Sequence, residues 1–189
     1  DDGIATSSGM SAVFTAIAAR VSSGDHVLAS RALFGSTHQI FTRILPKWGV
    51  SSDYADAADP TSWERLVRPT TKLIFIETPS NPGLELIDLR WLGEFAAARG
   101  IPLVVDNCFA TPYLQRPLAL GANVVIHSAT KYIDGQGRAL GGAIIGDASY
   151  IADCRFFARH TGPAMSAFNA WLLSKSLETL AVRMDRSEE

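Results

Sequence analysis

Four short runs of aliphatic and β-branched residues constrain this chain most. They are Leu73-Ile74-Phe75-Ile76, Leu103-Val104-Val105, Val124-Val125-Ile126 and Ala143-Ile144-Ile145. A strand with one wet face alternates apolar and polar residues. These runs do not, so each reads as a strand covered on both faces, the pattern of a parallel sheet between two helical layers. Segments of helical period lie between them. Ser7-Ser8 can cap a helix over Met10 to Arg20, and Asp88 caps one bearing Leu89, Leu92, Phe95 and Ala96, with Gly100 as its C′ residue. Phe34 to Leu45 has helical spacing and is expected to end before Pro46, and Asp59-Pro60 opens a short helix. His26 to Ala29 and Val50 to Tyr54 are further strand candidates, and helices are expected near Tyr150–Arg159 and Ser166–Met184. The expected fold is a three-layer α/β/α arrangement around a mostly parallel sheet.

The chain has 189 residues, 47% of them hydrophobic and 19% charged, the balance of a folded domain rather than a disordered segment. Lys plus Arg numbers 17 and Asp plus Glu 19, a formal charge of −2, which argues against a basic nucleic-acid surface or an electrostatic membrane binder. Cys108 and Cys154 are far apart and form no CxxC pair, so a disulfide framework is not expected and a reducing, cytoplasmic setting is. No apolar run approaches the length of a membrane span. The chain opens on Asp1 without an initiator Met and stops in a helical pattern, so both ends read as cuts through a longer protein.

In open α/β sheets the ligand sits at the carboxyl ends of the strands. Glu77 is followed by Thr78-Pro79-Ser80-Asn81-Pro82, Asp106 by Asn107 and Cys108, and His127 by Ser128-Ala129-Thr130-Lys131. With the helix start at Ser8-Gly9-Met10, these loops would gather an anion site, a carboxylate, hydroxyls and one lysine. That set suits pyridoxal phosphate (PLP). A phosphate needs helix N-terminal N–H groups, which Gly9 lets it approach, and Ser128 and Thr130 can add hydroxyls. Lys131 supplies the amine that joins the cofactor aldehyde, and a desolvated setting would favour its nucleophilic form. Asp106 can face the pyridine nitrogen and keep the ring protonated as an electron sink.

Each residue alone has a plainer reading. Ser-x-Thr-Lys can be a polar loop, an Asp at a strand end a turn former, and Gly9 a turn residue. Gly135-x-Gly137 invites a dinucleotide fingerprint, but Leu140 stands where the third glycine belongs and no strand leads in. The four histidines show no ligand spacing, so no metal is expected. His127 reads as a packed strand end and Cys108 as a buried filler, with a reactive thiol as the alternative.

Four segments together narrow the reading. Ser7-Ser8-Gly9-Met10-Ser11-Ala12, Glu77-Thr78-Pro79-Ser80-Asn81-Pro82, Val105-Asp106-Asn107-Cys108-Phe109-Ala110-Thr111-Pro112 and His127-Ser128-Ala129-Thr130-Lys131-Tyr132 resemble, in order, the motifs of the Cys/Met-metabolism PLP enzymes. The resemblance spans essentially the whole chain. It implies the fold type I architecture of aspartate aminotransferases, with residues 1–189 as a partial PLP-binding large domain. It also implies that the family's N-terminal segment and C-terminal domain lie outside this sequence. By that resemblance Lys131 matches the cofactor lysine and Asp106 the partner of the pyridine nitrogen. Gly9 and Met10 match the phosphate cradle, completed by Ser128 and Thr130. Asn81 matches the residue near the ring 3′-oxygen, and Glu77 a carboxylate close by. Phe34 falls where many members stack a tyrosine; it can stack but donates no proton, and it can equally be a core residue of its helix.

Asp134-Gly135-Gln136-Gly137-Arg138 and Gly162-Pro163-Ala164-Met165-Ser166 look like the O-succinylhomoserine sulfhydrylase branch. That implies γ-replacement, in which O-succinylhomoserine and sulfide give homocysteine and succinate for methionine biosynthesis. A cystathionine γ-synthase, a γ-lyase, or a PLP-binding fragment without turnover are the alternatives. The resemblance also implies a homotetramer built from dimers that share active sites, with small-molecule substrates and neither nucleic acid nor membrane as partner.

Overall fold

The computed structural model describes residues 1–187. Seven strands form one sheet in the order β1-β7-β6-β5-β4-β2-β3. They are β1 (Asp2–Thr6), β2 (His26–Ser30), β3 (Ser51–Ala55), β4 (Thr71–Glu77), β5 (Leu103–Asp106), β6 (Val124–Ser128) and β7 (Gly142–Gly146). All neighbours from β3 to β6 pair parallel, while β7 runs antiparallel to both β6 and β1. Six strands therefore point the same way. Their carboxyl ends, including Thr6, Glu77, Asp106 and Ser128, share one edge.

The uninterrupted apolar runs are explained by cores on both faces. On β4, Leu73 and Phe75 face one core while Ile74 and Ile76 face the other. The first core packs under helices α1 (Gly9–Ala18) and α6 (Ala148–Thr161) with Val13, Ile17, Tyr150 and Ile151. The second lies under α3 (Pro60–Leu66) and α4 (Leu89–Ala97), around Trp63, Leu92 and Phe95. Burying each such side chain contributes about 1.5–3 kcal/mol, so both layers are needed to hold the sheet. Two predicted caps form: Ser8 Oγ accepts from Ser11 N–H at 3.1 Å, and Asp88 Oδ1 accepts from Arg90 and Trp91 N–H at 3.0 and 3.1 Å. The expected α/β/α architecture is therefore present.

Three expectations need correction. The segment 34–45 is not one helix. It runs as α2 (Gly35–Gln39), a π turn (Ile40–Ile44) and a 3-10 turn (Leu45–Trp48), and Pro46 lies inside it rather than beyond it. Proline is tolerated at the start of a new turn because its missing N–H has no partner there to lose. The expected 166–184 helix breaks into α7 (Ala167–Leu177) and α8 (Leu180–Ser187). The strand β1 was not expected at all, since Gly3 and Ala5 offer no apolar run and lie exposed. A short helix α5 (Thr111–Leu114) follows the loop after β5.

Candidate active site

The carboxyl edge of the sheet carries a cavity of about 200 Å³. Its lining includes Gly9, Met10, Phe34, Asn81, Asp106, Ser128, Thr130 and Lys131, all eight residues singled out from the sequence. Ser8, Val13, Glu77, Cys108, Phe109 and Leu140 complete the wall. A larger groove of about 610 Å³, beside Arg116, His127 and Ile145, holds none of the eight. Chemistry, not volume, separates the two.

The α1 N-terminus comes so close to the end of β6 that a Cβ on Gly9 would lie 2.5 Å from Ser128 Oγ and 2.9 Å from Ser128 Cα. Only glycine permits that approach, and it brings the free N–H groups of α1 alongside the Ser128 hydroxyl. Thr130 Oγ1 accepts from Gly141 N–H at 3.3 Å, tying the lysine turn to the start of β7. Lys131 stands exposed at the cavity mouth, so the desolvated setting expected for it is not present in this chain.

Glu77 and Asp106 are direct register partners on β4 and β5. Both are buried, at 4% and 8% exposure. Asp106 Oδ1 accepts one hydrogen bond, from Cys108 N–H at 3.1 Å, and burial pushes its carboxyl up to about 7. Glu77 is pushed up to about 8, by burial first and then by Asp106, against backbone hydrogen bonds from Phe34 and Asn81. The Phe34 N–H donates to Glu77 Oε2 at 2.5 Å. Phe34 lies just outside α2, 39% exposed, so its reading as a core residue of a helix fails and its ring is left for the cavity.

Neighbouring groups are electrostatically quiet. Burial, reinforced by Asp106, pushes the Cys108 thiol up to about 12, which leaves it neutral and poorly nucleophilic. His127 is buried with Nδ1 unpartnered and is pushed down to about 4, so it is an uncharged strand-end residue. Among the described residues no group of three or more His, Cys, Asp or Glu side chains could hold a metal ion. No helix among them is long and apolar enough to cross a membrane.

Sequence reasoning missed the Asn107–Gln115 pair. Asn107, fully buried, donates from Nδ2 to the carbonyls of Thr111 and Gln115 at 3.0 and 2.9 Å. Gln115 Nε2 donates to Asn107 Oδ1 at 2.8 Å and to the Thr78 carbonyl at 2.9 Å. This pair joins the loop after Asp106 to the loop after Glu77 and braces Thr111, whose φ of 60° is strained for a β-branched residue. The spacing of eight residues between the two amides matches no local motif, so nothing in the sequence announces it.

The profile of the Cys/Met metabolism PLP-dependent enzymes matches residues 1–189. The chain belongs to that family. It is 52% identical over 184 residues to an O-succinylhomoserine sulfhydrylase of Pseudomonas aeruginosa, covering 97% of this chain and 46% of that protein. It is 38% identical to a cystathionine gamma-lyase of Bacillus subtilis, covering 99% of this chain and 49% of the other. Among solved structures, metB from Corynebacterium glutamicum superposes with a TM-score of 0.92 at 36% identity, covering 95% of this chain and 47% of that one. The chain thus spans about half the length of the relatives it matches.

Pyridoxal phosphate is the cofactor of this family, and the residues present fit it. Asp106 is a buried carboxylate held by one backbone N–H, a setting that a protonated ring nitrogen would complete. The close Gly9–Ser128 approach sets the α1 N-terminus beside the Ser128 hydroxyl at the cavity wall, a place for a phosphate.

Proposed function

We propose that the protein of which this chain is part joins sulfide to the γ-carbon of O-succinylhomoserine, releasing succinate and forming homocysteine. The carrying observation is that Lys131, Asp106 and the Gly9–Ser128 cradle line one cavity. The choice of substrate rests on 52% identity to proteins named O-succinylhomoserine sulfhydrylase, against 38% to a cystathionine gamma-lyase.

When bound, the cofactor supplies an electron sink for the carbon that bears the substrate amine. The chain's own residues do the rest. Gly9 and Met10 N–H groups, with Ser128 and Thr130 hydroxyls, hold the phosphate. Asp106 would keep a proton on the ring nitrogen, and the Phe34 ring would be available to stack against the cofactor. Asn81, which also lines the cavity, would be left for the ring 3′-oxygen. The Lys131 amine would hold the cofactor by its aldehyde and, once free, would take the proton from the substrate α-carbon and move protons at the β-carbon. Succinate departs from the γ-carbon with the bonding pair, and sulfide forms the new bond there. We propose further that the protein works in the cytoplasm as a homo-oligomer, a tetramer built from dimers. The exposed Phe156, Phe168 and Trp171 support such an association.

The test feeds the full-length protein O-succinylhomoserine with either sulfide or cysteine and follows the products. Homocysteine and succinate from sulfide are expected, at a kcat/KM at least about ten-fold above that for cystathionine from cysteine. Preference for cysteine, or α-ketobutyrate as main product, would assign a synthase or lyase instead.

A further inference from the structure

The turn that carries Lys131 is held from outside the cavity. Along its own backbone, Asp134 N–H donates to Ala129 O and Gly135 N–H to Lys131 O, both at 2.8 Å. The carbonyls of Tyr132 and Ile133 point the other way and meet Arg183 of α8. Its Nη1 donates to Tyr132 O, its Nη2 to Ile133 O at 3.1 Å and to Ser176 O at 2.9 Å, and its Nε to Thr179 Oγ1 at 3.1 Å. One planar guanidinium thus grips the two residues after the lysine and the elbow between α7 and α8. The fit is close: at Gly135, φ +73°, a Cβ would lie 2.8 Å from Arg183 Cζ. A second tie converges on the same elbow, since Arg138 Nη2 donates to Ser176 Oγ at 2.8 Å while Asp134 Oδ2 accepts from Arg138 N–H at 2.7 Å.

We propose that Arg183 is a positioning residue for Lys131: its fork fixes the lysine turn to the α7–α8 elbow and thereby sets the approach of the lysine amine to the cofactor aldehyde. The inference rests on reading Lys131 as the cofactor lysine. A fork is required because the acceptors lie on three separate peptide groups and a hydroxyl; a lysine ammonium, a point charge on a flexible stem, holds no fixed plane among them. The phosphate cradle rests mainly on α1 and the end of β6; Thr130, its one member in this turn, is tied to Gly141 rather than to Arg183. Loosening the turn should therefore leave cofactor capture intact and impair only the covalent linkage.

The full-length protein is loaded with pyridoxal phosphate, reduced with borohydride, and mapped by mass spectrometry, with dissociation constants measured in parallel. In the wild type the pyridoxyl group is expected on Lys131. Arg183→Gln and Arg183→Lys should both bind the cofactor within about three-fold of wild type yet form the Lys131 linkage at least about ten-fold more slowly, the scale of a modest misplacement of a reacting group. Tyr113→Phe, which cuts the 2.5 Å bond from Tyr113 to Asp185 of α8, is the control for simple loosening of that helix. It should lower Tm without slowing the linkage. If Arg183→Gln does not fold, Thr179→Val, which removes the Nε acceptor, should slow the linkage in the same direction. Linkage at wild-type rate in whichever of the Arg183 and Thr179 variants folds would overturn the positioning role, as would equal slowing in Tyr113→Phe. A pyridoxyl group on another residue in the wild type would instead overturn the reading of Lys131.

Discussion

At the scale of single residues, Asp106 is an acid that the fold has stripped of water and given one N–H in return. Its carboxyl stays up at about 7 until a positive charge is set beside it. On the proposed function the cofactor's ring nitrogen would be that charge, and the two would stabilise each other's ionised forms. Asp106→Ala is expected to retain the cofactor through the phosphate cradle and to lose turnover by about 100-fold or more, on the order of 3 kcal/mol of preorganised charge. Cofactor absorbance with kcat on the full-length protein checks this, and near-wild-type kcat would mean that the ring nitrogen faces another group. The placement of Lys131 and Asp106 on one cavity was legible because strand ends are where α/β sheets hold ligands: Asp106 closes one apolar run, and Lys131 stands in the turn after β6. Glu77's surroundings were not. Burial and Asp106 weaken it as an acid, and Phe34, 43 residues upstream, offsets part of that through an N–H that reaches it only once β2 and β4 are paired.

Among elements, the contact that matters most is the end of β6 against the start of α1. A Cβ at Gly9 would have to displace Ser128, whose Cα is part of a paired strand, so neither side yields cheaply. Gly9→Ala improves helix propensity by roughly 1 kcal/mol, yet the clash should outweigh it and destabilise the chain by about 1–3 kcal/mol. Pairing it with Ser128→Gly removes the obstructing side chain but leaves the 2.9 Å approach to the Cα, so it should recover part of the Tm, and no cofactor affinity if the Ser128 hydroxyl holds the phosphate as proposed. Recovery of both, measured by thermal unfolding and cofactor titration, would show that the cradle is elsewhere. The sequence marked this helix start by its serine cap, and marked β4 to β7 by composition. It gave no sign of β1, whose place is set by pairing with β7 far along the chain. Nor did it mark the break at 178–179, where helical periodicity runs on and the tertiary grip of Arg183 on Ser176 and Thr179 bends the path.

For the molecule as a whole, Asp106, Glu77 and His127, together with His26, which burial also lowers, make the cofactor-free chain sensitive to pH in a direction that can be worked out. Asp106 and Glu77 have folded values of about 7 and about 8, above their ordinary 3.8 and 4.5. Their contribution is therefore complete below about pH 4 and is lost as pH rises through 7 and 8. His127 is shifted the opposite way, from 6.5 down to about 4, so its contribution is complete above 6.5 and is lost on acidification. Between about pH 4.5 and 6.5 the two buried histidines work against the carboxyls. Above 6.5 they no longer change, and the carboxyls act alone. The buried thiols, raised to about 12, add nothing until the pH approaches the ordinary thiol value of 9. Unfolding of the cofactor-free chain by urea should thus give a stability lower at pH 8.5 than at pH 6.5 by on the order of 2 kcal/mol, at about 1.4 kcal/mol per unit for each carboxyl that remains protonated in the fold. Glu77→Gln should remove most of that slope, since a glutamine oxygen still accepts from Phe34 but carries no charge. Added cofactor should remove the Asp106 share and leave the Glu77 share. A stability that is flat or rising between pH 6.5 and 8.5 would mean that water reaches this pair of carboxyls and that their burial is not the source of their weak acidity.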